Sequence, residues 1–143
     1  MKIRLANQED LPALSELFFE LIHHFSPGST MNLEGASKYV KRHLDRKGDY
    51  VFAALKENEL IGTAVIRTLS RTSAIIRDAY VKPAFRQKGV MRALEGEAVN
   101  FLKEKGIKKM ELVVDAHDNV AKSTWRALGF KPYTERMTKR IDK

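Results

Sequence analysis

The segment from residue 72 to residue 116 places the strongest constraint on the fold of this 143-residue chain. Residues 72–81 form an apolar run with strand character, and apolar residues recur at helical spacing over residues 89–105. A second apolar run, residues 108–116, follows after one glycine. Two strands that are joined by a crossover helix within one sheet are parallel. The segment therefore predicts a parallel pair of strands with a helix packed against them.

Two helices are predicted before this segment and a short one after it. The first begins near Asn7 or Asp10, either of which is suited to cap it, and the second covers residues 33–46. The third covers residues 119–130, where the sequence NVAKSTWRALGF contains a glycine typical of a helix C-terminus. In the first two, apolar residues recur at intervals of three and four, which is the spacing that buries one face of a helix.

The remaining strands are predicted from alternating and apolar stretches at residues 2–6, 49–69 and 131–141. The middle stretch contains two apolar runs around the polar sequence KENE, which indicates an antiparallel hairpin. The element order is then β-α-α-β-β-β-α-β-α-β. It predicts a single α/β (α+β) domain over residues 1–143, with a mixed, mostly antiparallel central sheet and helices on both faces.

Composition excludes several kinds of chemistry. The chain has no cysteine, which removes disulfides, thiolate nucleophiles and cysteine-bearing zinc sites. No metal site is expected, because no ligand spacing relates the four histidines, which are interpreted as solvated or half-buried: His23, His24, His43 and His117. No apolar run approaches the ~20 residues of a membrane span, and the N-terminal stretch lacks the apolar core of a signal peptide. A cytoplasmic protein without membrane partners is expected.

The net charge of +8 is expected to attract polyanions. Nucleic acid, lipid and a phosphorylated cofactor all satisfy this condition. The basic residues are dispersed, apart from small clusters at residues 86–92, 103–109 and 136–143. No interleaving of aromatic and basic residues supports nucleic-acid binding, so charge alone does not identify the partner.

The turn before the helix at 89–105 has the features of an anion site. Helix N-termini present unpaired backbone N–H groups and carry roughly half a positive charge. Gly89 allows a close approach to the backbone, and Arg86, Lys88 and Arg92 add positive charge. A plain strand-to-helix connection with solvated basic residues is an equal alternative on these grounds. The sequence contains neither a P-loop nor a dinucleotide-binding glycine motif.

The stretches RDAYVKPAFRQKGVMRAL and NVAKSTWRALGF resemble the GNAT superfamily of acyl-CoA-dependent N-acetyltransferases. The resemblance follows the element order of the whole chain and is most specific over residues 76–94 and 118–130. The family signature, Arg/Gln-x-x-Gly-x-Gly/Ala, corresponds to residues 86–91, with Met91 in place of the final small residue. The resemblance implies a sheet that splays between its parallel strands and an enzyme that transfers an acetyl group from acetyl-CoA to a primary amine.

The resemblance also implies which residues contact acetyl-CoA. The turn would hold the pyrophosphate through its backbone amides, and the preceding strand would pair with the pantetheine arm. The cofactor-binding residues implied are Ala79, Tyr80, Val81, Arg86, Gln87, Lys88, Gly89, Val90, Met91, Arg92, Asp118, Asn119 and Trp125. For Asp118 and Asn119, a helix N-cap is the stronger interpretation.

Two residues that the resemblance places near the reacting groups depart from the family pattern. Trp125 replaces a tyrosine that protonates the departing thiolate, and an indole N–H is too weak an acid for this role. A thiol with a pKa near ~8.5 leaves without such help, so Trp125 is interpreted as a hydrophobic wall. Arg77 stands where many members have a carboxylate, and Asp78 is the candidate general base if the strand is bulged. Pairing of Asp78 with a nearby Arg or Lys is an equal alternative.

The family resemblance assigns the remaining roles by position. A backbone N–H near Tyr80 or Val81 would polarise the thioester carbonyl. Arg77 would suit an acidic group on the acceptor, and His24 and Phe25 lie where the family builds its acceptor pocket. The acceptor is a small-molecule or peptide amine, and a homodimer is compatible with the family. A silent acyl-CoA-binding module and a basic nucleic-acid-binding protein remain as alternatives.

Overall fold

The computed structural model describes residues 1–142, which form two compact units, residues 1–113 and the part of the chain from Val114 onward. The first unit contains β1 (Lys2–Leu5), α1 (Leu11–Phe25), α2 (Leu33–Asp45), β2 (Asp49–Lys56), β3 (Glu59–Thr68), β4 (Ser73–Val81), α3 (Val90–Glu104) and β5 (Lys109–Leu112). The second unit contains α4 (Asn119–Ala127). Within residues 1–142, no helix combines the length and apolar character needed to cross a membrane.

The five strands form one sheet in the order β1-β2-β3-β4-β5. The first three pairs are antiparallel and β4 pairs with β5 in parallel, which confirms the predicted mixed sheet. The parallel pairing runs only from Ser73 opposite Lys109 to Ile76 opposite Leu112. Because β4 continues to Val81, its last five residues extend beyond the end of β5.

Helices cover both faces of the sheet. Successive strand residues point to opposite sides, so each strand supplies apolar side chains to both helix layers. On one face, Leu14 and Phe18 of α1 and Val40 of α2 pack against Val51 of β2 and Tyr80 of β4. On the other face, the ring of Phe101 in α3 lies 4.7 Å from that of Tyr50 and 5.6 Å from that of Phe52. Each helix layer therefore buries one side of the same strands.

A β-bulge interrupts the pairing between β3 and β4. Val65 is paired with Asp78, whereas the next residue, Ile66, is paired with Ile76. Arg77 is the extra residue that has no partner on β3. Such a bulge re-aims the side chains next to it, which places Arg77 and Asp78 at a distinctive position in the strand.

The predicted final strand at residues 131–141 is wrong, since residues 131–142 contain no strand. A strand of an antiparallel sheet needs one buried apolar face, and the apolar residues of this segment have none. Tyr133, Met137 and Ile141 are 78%, 86% and 87% exposed. The strand predicted at 108–116 is shorter than expected and ends at Leu112. Asn7 caps a short turn at Gln8–Asp10 that leads into α1, rather than α1 itself.

Candidate active site

The junction between β4 and α3 contains a helix N-terminus without a side-chain cap. Gln87 and Gly89 adopt positive φ values of 61° and 83°, which turn the chain into α3. The first intrahelical bond runs from the N–H of Ala93 to the carbonyl of Gly89, at 3.0 Å. The N–H groups of Val90, Met91 and Arg92 precede it and have no acceptor within the helix. Together with the helix dipole, they favour an anion at this end.

The basic side chains of this junction have different roles. The Nε of Arg86 donates to the carbonyl of Val81 at 2.8 Å, and its guanidinium lies 5.2 Å from the centre of the Tyr80 ring. Arg86 therefore ties the turn back onto β4. Lys88 lies 5.9 Å from the Phe85 ring. Gln87, Lys88, Gly89 and Arg92 are exposed, so Lys88 and Arg92 are the cations available to a ligand here.

The end of β4 presents hydrogen-bonding groups along an open edge. The N–H of Lys82 donates to the carbonyl of Ile61 at 2.9 Å. In an antiparallel pair, the peptide groups of every second residue face the partner strand, so those of Tyr80 also point to β3. The peptide groups of Ala79 and Val81 point the other way, where β5 does not reach them. Because Arg86 occupies the Val81 carbonyl, the Val81 N–H and both groups of Ala79 are offered at this edge.

Asp78 lies at the centre of a hydrogen-bonded cluster on the face covered by α2. The hydroxyl of Tyr39 donates to Oδ2 of Asp78 at 3.0 Å, and the Asp78 side chain is 15% exposed. Burial, together with the charge of Asp78 and this hydrogen bond, raises the pKa of Tyr39 to about 12. Tyr39 therefore stays protonated at neutral pH and remains a donor to Asp78.

His43 lies behind Asp78 and is only 5% exposed, so the interpretation of His43 as a solvated or half-buried histidine is wrong. Its Nδ1 is 2.8 Å from Oδ2 of Asp49, and Arg67 donates to Oδ1 and Oδ2 of the same carboxylate, at 2.7 and 3.0 Å. Burial would raise the pKa of Asp49, but the hydrogen bonds from Arg67 and His43 outweigh it and lower that pKa. Asp49 is therefore ionised, and Nδ1 of His43 carries the proton that it donates to Asp49.

The other ring nitrogen of His43, Nε2, faces the carboxylate of Asp78. Within residues 1–142, the buried Nε2 of His43 has no hydrogen-bond partner, and it lies 3.6 Å from Oδ2 of Asp78. With Nδ1 protonated, a neutral ring presents a lone pair to a carboxylate, so two acceptors face each other.

An open pocket of about 490 Å³ lies next to this cluster. Its lining is mainly basic and consists of Tyr39, Arg42, His43, Asp45, Arg46, Arg67 and Arg77. The bulge brings Arg77 into this lining, beside the residues of α2. Sequence reasoning missed most of this site. Tyr39 and His43 are four residues apart and share a face of α2, which is the one local signal in the sequence.

The end of α1 adjoins the same strand. The His24 ring lies 5.7 Å from the Tyr80 ring and 4.9 Å from the Phe25 ring, and Phe25 is 60% exposed. Tyr80 is itself buried, and burial raises the pKa of its hydroxyl. Its ring therefore contacts His24 of α1 as well as Arg86 of the junction, and the acceptor and cofactor residues predicted in the first unit are brought to one strand.

Three predicted cofactor residues belong to the second unit. The side chain of Asp118 accepts from the N–H of Ala121 at 2.9 Å and caps α4, as the N-cap interpretation expected. Asn119 is the first residue of α4 and is exposed. The Trp125 ring packs edge-on against Phe130, with 5.6 Å between the ring centres. Within this unit, Asp118 and Trp125 thus have structural contacts of their own.

Residues 15–130 match the Acetyltransferase (GNAT) family. Over 139 residues the chain is 28% identical to the uncharacterized N-acetyltransferase YhfO of Bacillus subtilis, across 94% of this chain and 92% of YhfO. The fold is similar to a probable acetyltransferase, with a TM-score of 0.85, 24% identity, and coverage of 100% of this chain and 99% of that chain. It is also similar to AAC(6')-Iy in complex with the bisubstrate analogue CoA-S-monomethyl-acetylneamine, with a TM-score of 0.80, 20% identity, and coverage of 99% and 98%. At these identities, the two solved structures establish a shared fold.

Proposed function

Since this chain belongs to the GNAT acetyltransferase family, we propose that it transfers an acetyl group from acetyl-CoA to the primary amine of a small molecule or peptide. The observation that carries the proposal is the uncapped N-terminus of α3 beside the open edge of β4. One end of this arrangement suits phosphates and the other suits an extended amide chain. Direct attack by the amine is proposed, because the chain has no cysteine nucleophile.

The residues of the junction fit the chemistry of acetyl-CoA. The backbone N–H groups of residues 87–92 would hold the pyrophosphate, with added charge from Lys88 and Arg92. The outward peptide groups of Ala79 would pair with the pantetheine amides in the manner of an added strand, and the Val81 N–H would face the thioester end of the same molecule. When bound, acetyl-CoA supplies an acetyl group activated as a thioester.

The other predicted cofactor residues fall into two groups. Arg86 and Tyr80 are proposed to stabilise the shape of the cofactor site, because the Arg86 side chain bonds to β4 and lies against the Tyr80 ring. Asp118, Asn119 and Trp125 are proposed as cofactor contacts on the family resemblance alone.

We assign Asp78 as the group that accepts the proton of the attacking amine. Its carboxylate is partly exposed and is held in place by the Tyr39 hydroxyl. Nε2 of His43 provides a second position for that proton, backed by the ionised Asp49. The Val81 N–H is the donor available to a carbonyl oxygen at this edge, since the Tyr80 N–H is directed at β3. Arg77, His24 and Phe25 are proposed to contact the acceptor.

The proposal is tested by titrating the chain calorimetrically with acetyl-CoA and with duplex DNA at 0.15 M salt. Saturable binding of acetyl-CoA is expected, together with a rise in Tm, because a ligand that binds only the folded state stabilises it. DNA is expected to bind only weakly, with an affinity that falls steeply with salt. Tight DNA binding without any acetyl-CoA binding would favour the nucleic-acid alternative and overturn the proposal.

Replacing Gly89 with alanine is expected to weaken acetyl-CoA binding. An added Cβ meets no atom within 4 Å, so the effect comes from the backbone φ of 83° alone. An L-residue in this region costs about 1–2 kcal/mol, and relief of that strain would rotate the N–H groups of the α3 terminus. We expect a lower Tm and a several-fold higher Kd for acetyl-CoA, measured by thermal unfolding and calorimetry.

Gly96 provides the matched control, because it lies in the interior of α3 with no atom within 4 Å of an added Cβ and no positive φ. Gly96→Ala is expected to raise stability by about 0.5–1 kcal/mol and to leave the Kd for acetyl-CoA unchanged. Equal Kd values for the Gly89→Ala, Gly96→Ala and unsubstituted proteins would show that the junction does not bind acetyl-CoA.

A further inference from the structure

We propose that the arginine-lined pocket beside Asp78 binds the anionic group of the acceptor, so that the acceptor is a small amine carrying a carboxylate or phosphate. This inference rests on the proposed acetyl transfer and deepens it by naming the acceptor class. It is carried by the distribution of charge around Tyr39.

Two of the four arginines that line the pocket are paired with a carboxylate within the protein, and they share the same one. Arg67 makes a bidentate ion pair with Asp49, and Nε of Arg46 lies 3.7 Å from the same carboxylate. The carboxylate of Asp45 at the pocket lining lies 3.2 Å from Nζ of Lys41. These carboxylates are therefore already shared among cations and leave the charge of the remaining arginines uncompensated.

Arg42 and Arg77 are those remaining arginines. In the part of the chain from residue 1 to residue 142, neither has a carboxylate within ion-pair distance. The guanidinium of Arg42 lies 5.7 Å from the centre of the Tyr39 ring. The positive charge of Arg77 lowers the pKa of the Tyr39 hydroxyl, whereas the negative charge of Asp78 raises it. Two unpaired guanidinium groups thus flank the same side chain at an accessible pocket, where planar N–H donors suit carboxylate and phosphate oxygens.

The position of Tyr39 sets the distance between the two ends of the acceptor. Its hydroxyl donates to Asp78, which is the proposed proton acceptor for the amine, while its ring and hydroxyl adjoin Arg42 and Arg77. The anion-binding and amine-binding groups therefore adjoin the same tyrosine side chain. A short zwitterion, such as an amino acid or an aminoalkyl phosphate, matches this arrangement. A polycationic amine would place its additional charges against the arginines.

The acceptor class is tested with amines matched in length but different in charge. We expect 4-aminobutyrate to be acetylated with a kcat/KM at least about tenfold higher than butylamine, and 1,4-diaminobutane to be the poorest of the three. The pair O-phosphoethanolamine and ethanolamine repeats the comparison with a phosphate. A preference for 4-aminobutyrate alone indicates a carboxylate acceptor, and a preference for O-phosphoethanolamine alone indicates a phosphate acceptor.

Arg77→Gln and Arg42→Gln test the pocket residues directly. Each is expected to lower kcat/KM for the anionic amines about tenfold, through KM, and to reduce the preference for 4-aminobutyrate over butylamine. Arg71→Gln is the matched control, because Arg71 is exposed in the turn between β3 and β4 and does not line the pocket. It is expected to leave all five amines unchanged.

A separate readout keeps the pocket testable if no amine is acetylated. Calorimetric titration with O-phosphoethanolamine and 4-aminobutyrate, in the presence of saturating CoA, is expected to show binding that Arg77→Gln weakens about tenfold. If these two compounds bind but no amine is acetylated, the proposed function is overturned and the proposed acceptor class stands. A preference for butylamine or 1,4-diaminobutane, or an unchanged Kd and KM in Arg77→Gln, would overturn the acceptor class. Loss of CoA affinity in Arg77→Gln would instead assign the pocket to the cofactor and also contradict it.

Discussion

Replacing Asp78 with asparagine is expected to lower kcat for amine acetylation by about 10²- to 10⁴-fold, the range typical of a lost general base. An asparagine oxygen at the position of Oδ2 still accepts from the Tyr39 hydroxyl. The substitution thus keeps the hydrogen bond from Tyr39 and removes the ability of this side chain to take a proton. The Kd for acetyl-CoA is expected to stay within twofold of the unsubstituted value, because Asp78 does not belong to the junction.

The measurement is the steady-state release of CoA thiol with a fixed amine, from pH 6 to pH 10. Glu104→Gln serves as the control, since Glu104 is an exposed carboxylate at the last residue of α3. It is expected to leave kcat unchanged. The assignment of Asp78 fails if Asp78→Asn retains more than about a tenth of the original kcat at every pH, given the size of a typical general-base contribution.

Replacing Asp49 with asparagine is expected to cause the largest loss of stability, about 3 kcal/mol or more. The Asp49 side chain is fully buried, pairs with Arg67 and accepts from His43, so removal of its charge leaves the Arg67 guanidinium without its partner. Equilibrium unfolding in urea at pH 7 measures this loss. Asp45→Asn is the matched control, because Asp45 forms an exposed ion pair with Lys41 that contributes at most about 1 kcal/mol.

The same substitution has an expected signature in the pH dependence of stability. The pKa of Asp49 is lowered in the folded state, so below neutral pH the unfolded chain binds its proton first. The stabilisation is therefore complete above the unfolded pKa of about 3.9 and is lost as pH falls through the lower folded value. Asp49→Asn should lack this part of the acid-induced loss. An unfolding free energy within about 1 kcal/mol of the original protein at pH 7 would show that the buried ion pair is not a major source of stability.

The sequence predicted the elements whose signals are local. The helix α3 begins within one residue of the prediction, because its apolar spacing and its flanking glycines all lie within one segment. The parallel pairing of β4 and β5 followed from the single crossover between them. The strand predicted at 131–141 failed because weak alternation does not create a buried face when the apolar side chains stay exposed.

The candidate site was only partly predictable, because it depends on contacts between distant segments. The Tyr39–His43 spacing is visible on α2, but the approach of Asp49 and Asp78 requires the folded sheet. The sequence allows a bulge in this strand, yet the position of the bulge at Arg77 is fixed by the register with β3. The direction of the Arg86 side chain, toward the Val81 carbonyl, likewise depends on the geometry of the turn.

The central claim is that this chain joins an acetyl-CoA site on β4 and α3 to an amine site at Asp78. The most direct measurement follows thiol release and the mass of the amine product in one reaction containing acetyl-CoA and 4-aminobutyrate. We expect one equivalent of N-acetylated amine for each thiol released, with both lost in Asp78→Asn. Saturable acetyl-CoA binding without thiol release, across all the matched amines, would contradict the claim and identify a silent acyl-CoA-binding module.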